Sequence, residues 1–257
     1  MKKNILELFS LEGKKAIVVG GAGDLGKSMV EALAEAGAQV VVIDLDERMY
    51  DQCKDFKNNG LDVYAVKADI SKIEEVQNSY KKALKILGEK VDILVNSAGI
   101  QRRYPSEDFP EEEWNKVIAI NLDATFYFCK YAINTMLENN GGKIINVASL
   151  MSFLGGITIP AYAASKGGVG QLTKALSNDL AAKGICVNAI APGYMDTQLN
   201  TALINDKKRT EEVFMRVPMK RWGTGDDLKG LTVFLASAAS DYVTGTIIPV
   251  DGGYLGR

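Results

Sequence analysis

Histidine is absent from the 257 residues. That absence excludes a Ser-His-Asp triad, histidine metal ligands and the commonest general base together. Acid–base chemistry then falls to Tyr, Lys, Cys, Asp or Glu. Cysteine is scarce: Cys53, Cys129 and Cys186 lie far apart and form no C-x-x-C pair. Without a Cys/His cluster no metal site is expected, and such cysteine usage fits a reduced compartment. No apolar run reaches the 18 residues of a membrane-spanning helix, so no membrane partner is expected. The opening MKKNILELFSLEGKK holds no apolar stretch of signal-peptide length, so a cytoplasmic location is expected. Basic excess is missing too. Lys and Arg number 30 against 32 Asp and Glu, which argues against nucleic acid as a partner.

What is present has the balance of a globular protein, with 47% hydrophobic and 24% charged residues. Short runs of Val and Ile at 15–19, 39–43, 63–66, 91–95, 144–147, 185–190 and 246–250 predict seven strands. The runs are nearly continuous, as for parallel strands covered on both faces. Helical spacing occupies 25–36, 47–58, 72–87, 111–138 and 163–182. This alternation predicts one α/β domain over residues 1–257, a doubly wound Rossmann-like fold with a seven-stranded parallel sheet. The stretch 195–224 breaks the rhythm. It is polar and charged, and is expected to lie as a lid over the carboxyl ends of the strands, where such folds bind ligands.

The first strand runs into Gly20-Gly21-Ala22-Gly23-Asp24-Leu25-Gly26 and then a helix. Glycines there allow a tight turn and close approach of backbone to a pyrophosphate, which meets the free N–H groups of the helix. Alone, G-x-G-x-x-G is weak, since glycines between strand and helix often only make a turn. Asp44 ends the second strand 44 − 23 = 21 residues after Gly23. Its carboxylate suits both ribose hydroxyls and would repel a 2′-phosphate, so NAD is expected over NADP. The plainer reading of Asp44 is a helix cap or a solvated acid.

Tyr162 and Lys166 stand four residues apart near the start of a helix, hence on one face. A free tyrosine ionises near pH 10; a nearby lysine cation and a helix N-terminus both favour the phenolate. Ser149 closes a strand 162 − 149 = 13 residues upstream, where its hydroxyl could bond the reacting oxygen. In isolation Tyr-x-x-x-Lys is usually a surface pair.

These pieces occur in a longer order: the glycine loop, Ala68-Asp69-Ile70, Asn96-Ser97-Ala98-Gly99, Asn121, Ser149, Tyr162-Ala-Ala-Ser-Lys166, Pro192-Gly193 and Asp251-Gly252-Gly253. In this the chain resembles the short-chain dehydrogenase/reductase family from Leu11 onward. The resemblance implies that Tyr162 is the general acid/base, that Lys166 binds the nicotinamide ribose and lowers the tyrosine pKa, that Ser149 orients the carbonyl and that Asn121 holds a water of the proton relay. It further implies a cofactor lying on Gly20, Gly23, Asp24, Leu25 and Gly26. Asp44 would meet the ribose, Asp69 and Ile70 the adenine, Asn96, Ala98 and Gly99 the adenosine ribose, and Pro192, Gly193 and Thr197 the nicotinamide end. Capping is the plainer reading of Asn96, Asn121 and Asp69. The loop departs from the family pattern, with Val19 where threonine is usual and Asp24 at the middle glycine. Ser97 is a milder change.

The segments 96–103, 149–156, 191–195, 221–223 and 240–245 resemble most the sugar-acid branch of that family, the 2-dehydro-3-deoxygluconate 5-dehydrogenases and gluconate 5-dehydrogenases. Arg102 and Arg103 follow the fourth strand, where a guanidinium could clamp a carboxylate; Arg221 is a third candidate. Solvated arginines or a salt bridge are the alternative. Relatives are usually tetramers, pairing through helices at 111–138 and 163–182 and the last strand, so a homotetramer is expected. A non-catalytic nucleotide-sensing module on the same fold is the competing class, and predicts a damaged Tyr/Lys/Ser set. Here the set is intact.

Overall fold

A computed structural model describes residues 4–256, apart from the side chains of Leu199 and Ala202. The first three residues and Arg257, part of the expected domain, lie outside the described residues. Seven parallel strands make one sheet in the order β3-β2-β1-β4-β5-β6-β7. They are β1 (Lys15–Val19), β2 (Gln39–Asp44), β3 (Val63–Lys67), β4 (Ile93–Asn96), β5 (Gly142–Val147), β6 (Ile185–Pro192) and β7 (Ile247–Val250). The helices are α1 (Asp24–Glu35), α2 (Arg48–Asn58), α3 (Ile73–Ile86), α4 (Glu111–Ile118), α5 (Ala124–Glu138), α6 (Pro160–Leu180), α7 (Thr201–Ile204), α8 (Lys207–Arg216) and α9 (Asp226–Ala236).

Alternation along each strand builds two cores. Ala16 and Val18 of β1 pack with Met29, Val30 and Leu33 of α1 and Phe56 of α2. Ile17 and Val19 face the other way, toward Tyr80 of α3 and Phe128, Ala132 and Met136 of α5. Both layers must be apolar because both faces carry helices. Each fully buried Leu, Ile or Phe contributes about 1.5–3 kcal/mol relative to exposure. Strand order reverses between β1 and β4, which pair Ala16 with Ile93 and Val19 with Asn96. The crevice at the carboxyl ends of these two strands is where the fold places ligands.

Three features differ from the sequence expectation or add to it. The helix expected over 111–138 is interrupted by a π-helical turn at Ala119–Asp123. Such a turn accommodates one residue more than an α-turn, and Asn121 within it is fully buried. Helix α9 lies outside the helical ranges expected from the sequence. Its Leu228, Leu231, Thr232 and Leu235 fall at i, i+3, i+4 and i+7, a spacing that signals it.

The third is the excursion after β6. It carries α7 and α8 and returns to its own starting point: Met195 bridges Gly223, Asp196 N–H donates to Gly223 O at 2.7 Å, and Gly223 N–H to Tyr194 O at 2.9 Å. Among the described residues no helix is long and apolar enough to cross a membrane. None of their His, Cys, Asp and Glu side chains form a group of three or more able to hold a metal ion.

Candidate active site

The glycine loop is shaped by two positions. Gly20 has φ +79°, and a Cβ there would sit 2.4 Å from Ala98 N, so the loops after β1 and β4 touch through it. At Gly26 a Cβ would lie 2.0 Å from Gly20 O, so α1 can start against the loop only if this residue is glycine. Gly23 has room, its nearest neighbour being Gly20 O at 3.7 Å. Gly23 is also the N-cap of α1, and no side chain caps that terminus. An uncapped helix N-terminus behind a glycine turn fits a dinucleotide pyrophosphate. Asp24, in the first turn, accepts Gln198 N–H of the excursion on its carboxylate at 2.7 Å.

Asp44, at the end of β2, is engaged on both oxygens. They accept Ala22 N–H at 2.9 Å and Asp46 N–H at 3.0 Å, so the acid braces the glycine loop. Arg48, the nearest cation to this corner by sequence, is held by Asp46 through Nε at 2.7 Å and Nη2 at 2.6 Å.

At the ends of β5 and α6 three side chains converge. Ser149 Oγ accepts Met151 N–H at 3.2 Å in a capping box with Ser152. Ser152 Oγ also donates to Lys166 O at 2.7 Å, which fixes the serine turn to α6. Tyr162 sits in the first turn of α6 behind Pro160, a residue suited to a helix start. Lys166 follows one turn later, buried, with Nζ donating to Val147 O at 2.6 Å and lying 5.9 Å from the Tyr162 ring centre.

Asn121 ties the parts together. Its Oδ1 accepts Ile100 N–H at 2.8 Å, and its Nδ2 donates to Ile100 O and to Ser165 Oγ, each at 3.0 Å. Ser165 Oγ in turn donates to Tyr162 O at 2.9 Å.

Burial sets the charges. It pulls the Lys166 amine from 10.5 down to about 8. It pushes the Tyr162 phenol above its ordinary value, partly offset by a hydrogen bond with Ser149. In the isolated chain, desolvation outweighs that hydrogen bond, so the phenol lies above its ordinary value and not below it.

One cleft of about 750 Å³ joins these groups. Of the residues singled out by sequence, Gly20, Gly23, Asp24, Leu25, Gly26, Gly99, Arg103, Ser149, Tyr162, Lys166, Pro192, Gly193 and Thr197 line it. Others stand behind or apart. Asn96 is buried and donates to Asn146 Oδ1 at 2.9 Å, while its own Oδ1 has no partner among the described residues. Asp69 accepts Ser71 N–H and Oγ–H at 3.1 and 2.6 Å, a turn cap. Ile70 packs on the apolar layer of α3 and α5.

Two of the three candidate anion-binding arginines stand apart from the cleft. Arg102 Nε is held by Glu113 at 2.6 Å, and Arg221 is clamped by Asp227 through two contacts of 2.7 Å; neither lines the cleft. Sequence reasoning missed Arg209, Glu212 and Arg216 of α8, with Tyr194 and Tyr254, all of which do line it.

A family model described as enoyl-(acyl carrier protein) reductase, within the short-chain dehydrogenase/reductases, matches residues 20–255. The chain is a short-chain dehydrogenase/reductase. The family makes it an NAD(P)-dependent oxidoreductase acting on CH–OH groups. Among its relatives is the 2-dehydro-3-deoxy-D-gluconate 5-dehydrogenase of Bacillus subtilis, 44% identical with 98% of each chain covered. A solved structure from Agrobacterium tumefaciens, proposed to be a 2-deoxy-D-gluconate 3-dehydrogenase and holding NADP, is 43% identical with TM-score 0.91, covering 97% of this chain and 99% of that one. The gluconate 5-dehydrogenase of Burkholderia cenocepacia, solved with NADP and tartrate, is 37% identical with TM-score 0.94 and covers 99% and 100%.

Proposed function

We propose that this short-chain dehydrogenase/reductase moves hydride between NAD and a hydroxyl or keto carbon of a six-carbon sugar acid. The reaction most favoured is that of a 2-dehydro-3-deoxy-D-gluconate 5-dehydrogenase. The observation that carries the reading is continuity: Ser149, Tyr162 and Lys166 open on the same cleft as the uncapped start of α1. The substrate class rests on the relatives' names and on a cleft lined by three arginines, Arg103, Arg209 and Arg216. Gluconate 5-dehydrogenase is the alternative, favoured by the Burkholderia cenocepacia likeness.

The bound nicotinamide supplies the hydride acceptor or donor; the chain's own groups handle the proton. Ser149 Oγ bonds the substrate oxygen, and the Tyr162 hydroxyl takes its proton during oxidation or returns one during reduction. With its phenol raised by burial, Tyr162 is protonated near neutrality and ready to act as an acid. Oxidation gains as pH rises. Lys166 would hold the nicotinamide ribose, and Asn121, anchored by Ile100 and Ser165, would hold the water of the proton relay.

Asp44, with Arg48 bound to Asp46, favours NAD over NADP. Residues 195–224 act as a lid closing on the sugar. A homotetramer in the cytoplasm is the expected form; β7 is an edge strand, and Phe126 of α5 is exposed while Phe128 is core.

A panel of sugar acids assayed with both cofactors tests the substrate. Tyr162→Phe tests the chemistry: turnover should fall nearly to nothing while NAD binding persists, because the ring's packing is kept. Substantial residual turnover places the proton transfer elsewhere.

A further inference from the structure

We propose that the carboxylate of the sugar acid is seated by the lid itself, on Arg216 with Arg209 beside it. The inference rests on the sugar-acid reading above and names the residues that would make it specific. Arg209, Glu212, Val213 and Arg216 follow one another at i, i+3, i+4 and i+7 along α8, so they share a face, and all four line the cleft. That face is held in place. Val213 and Val217 are buried against Leu150, the neighbour of Ser149, and against Tyr254.

The Arg216 guanidinium lies 4.6 Å over the Tyr254 ring, and Tyr254 packs on Tyr194 at 5.3 Å between ring centres. An arginine stacked on an aromatic face keeps its fork of donors free at the edge while its plane is fixed.

The cleft is lined by four cations (Arg103, Lys166, Arg209 and Arg216) against two carboxylates (Asp24 and Glu212), in a chain of net charge −2. Other arginines near the site are already spent: Arg102 on Glu113 and Arg221 on Asp227. Arg103 lines the cleft, yet its Nη1 donates to Ile157 O and Thr158 Oγ1, both at 3.2 Å. Arg209 and Arg216 make no ion pair among the described residues. Glu212 between them accepts a sugar hydroxyl, which favours a polyhydroxy monoacid over a dianion.

The test measures binding and turnover together. D-Gluconate and 2-dehydro-3-deoxy-D-gluconate are titrated calorimetrically into the NAD-saturated protein, for wild type, Arg216→Gln, Arg216→Lys and Arg209→Gln. NAD affinity and the thermal midpoint serve as checks on folding. Arg216→Gln should weaken binding of the preferred acid roughly ten- to hundredfold, the scale of a lost charge-assisted pair, with NAD affinity unchanged. The loss should appear in KM more than in kcat. Arg216→Lys should recover part of it, and Arg209→Gln should lose less.

Unchanged acid affinity in Arg216→Gln overturns the seat, as does a loss confined to kcat. Binding that needs Arg216 but leads to no turnover upholds the seat and removes the reaction. A wild type that neither binds nor turns over either acid removes both.

Discussion

Replacing Lys166 with Met should abolish turnover and yet leave the protein at least as stable at neutral pH. The lysine is buried, and burial lowers its amine from 10.5 to about 8. The interval between those values corresponds to roughly 3 kcal/mol, the cost of carrying the charge in the folded chain. Below pH 8 folded and unfolded chains both hold the proton and the cost is complete. Between pH 8 and 10.5 the folded chain releases it while the unfolded chain keeps it, so stability rises with pH across that window.

Methionine has similar length and no charge, but it leaves Val147 O without the donor now at 2.6 Å. Losing that bond costs about 1–3 kcal/mol. The balance at pH 7 lies between parity and a gain of about 2 kcal/mol for Lys166→Met; by pH 10.5 wild type should lead by about 1–3 kcal/mol. Urea unfolding followed by tryptophan fluorescence, at fixed protein concentration from pH 6.5 to 10.5, reads this directly. The discriminating quantity is the difference between the two curves, since every other titrating group cancels. Parallel curves over pH 8–10.5 would refute the reasoning and mean that the charge is solvated in the folded chain.

Two further outcomes concern the nucleotide. Gly26→Ala should cost about 1–3 kcal/mol of stability through overpacking and weaken NAD binding, because its Cβ meets Gly20 O at 2.0 Å; Gly23→Ala should melt within a few degrees of wild type and lose NAD affinity alone. Paired thermal melts and NAD titrations decide, and equal melting of the two variants would contradict the loop geometry. Wild type should use NAD at least about tenfold more efficiently than NADP, a difference of about 1.4 kcal/mol. Asp46→Ala, by freeing Arg48 from its 2.6 Å contact, should raise kcat/KM for NADP several-fold with NAD little changed; comparable efficiency of both cofactors in wild type would overturn the preference.

The strands were legible because a strand covered on both faces must be apolar throughout, and Val40 to Ile43 shows this as plainly as any. The glycine loop was legible for the same kind of reason: at Gly20 and Gly26 the geometry tolerates nothing else. The interruption at Asn121 was not, because the amphipathic pattern runs on through 119–123 while the backbone widens. Helix α9 carried a readable period, obscured by Gly230 and by a β-branched pair, Thr232 and Val233. Between the two adjacent arginines the sequence could not choose. Arg102 and Arg103 are neighbours in sequence, but only the fold shows that Glu113 of α4 takes the first. Arg209 and Arg216 could not be ranked earlier, since their importance depends on where the excursion carries α8.

The clasp between Met195 and Gly223 makes that excursion interchangeable in principle. A segment that closes on its own starting point transmits no change of length to the elements on either side. Closing a loop twice as long costs only about 0.6 kcal/mol more. Insertions, deletions or a grafted helix between the two clasped residues should therefore be tolerated by the sheet while they redraw the far wall of the cleft. The shape of the cleft can then change with the graft, provided that it keeps Gln198, whose N–H holds Asp24 of the glycine loop.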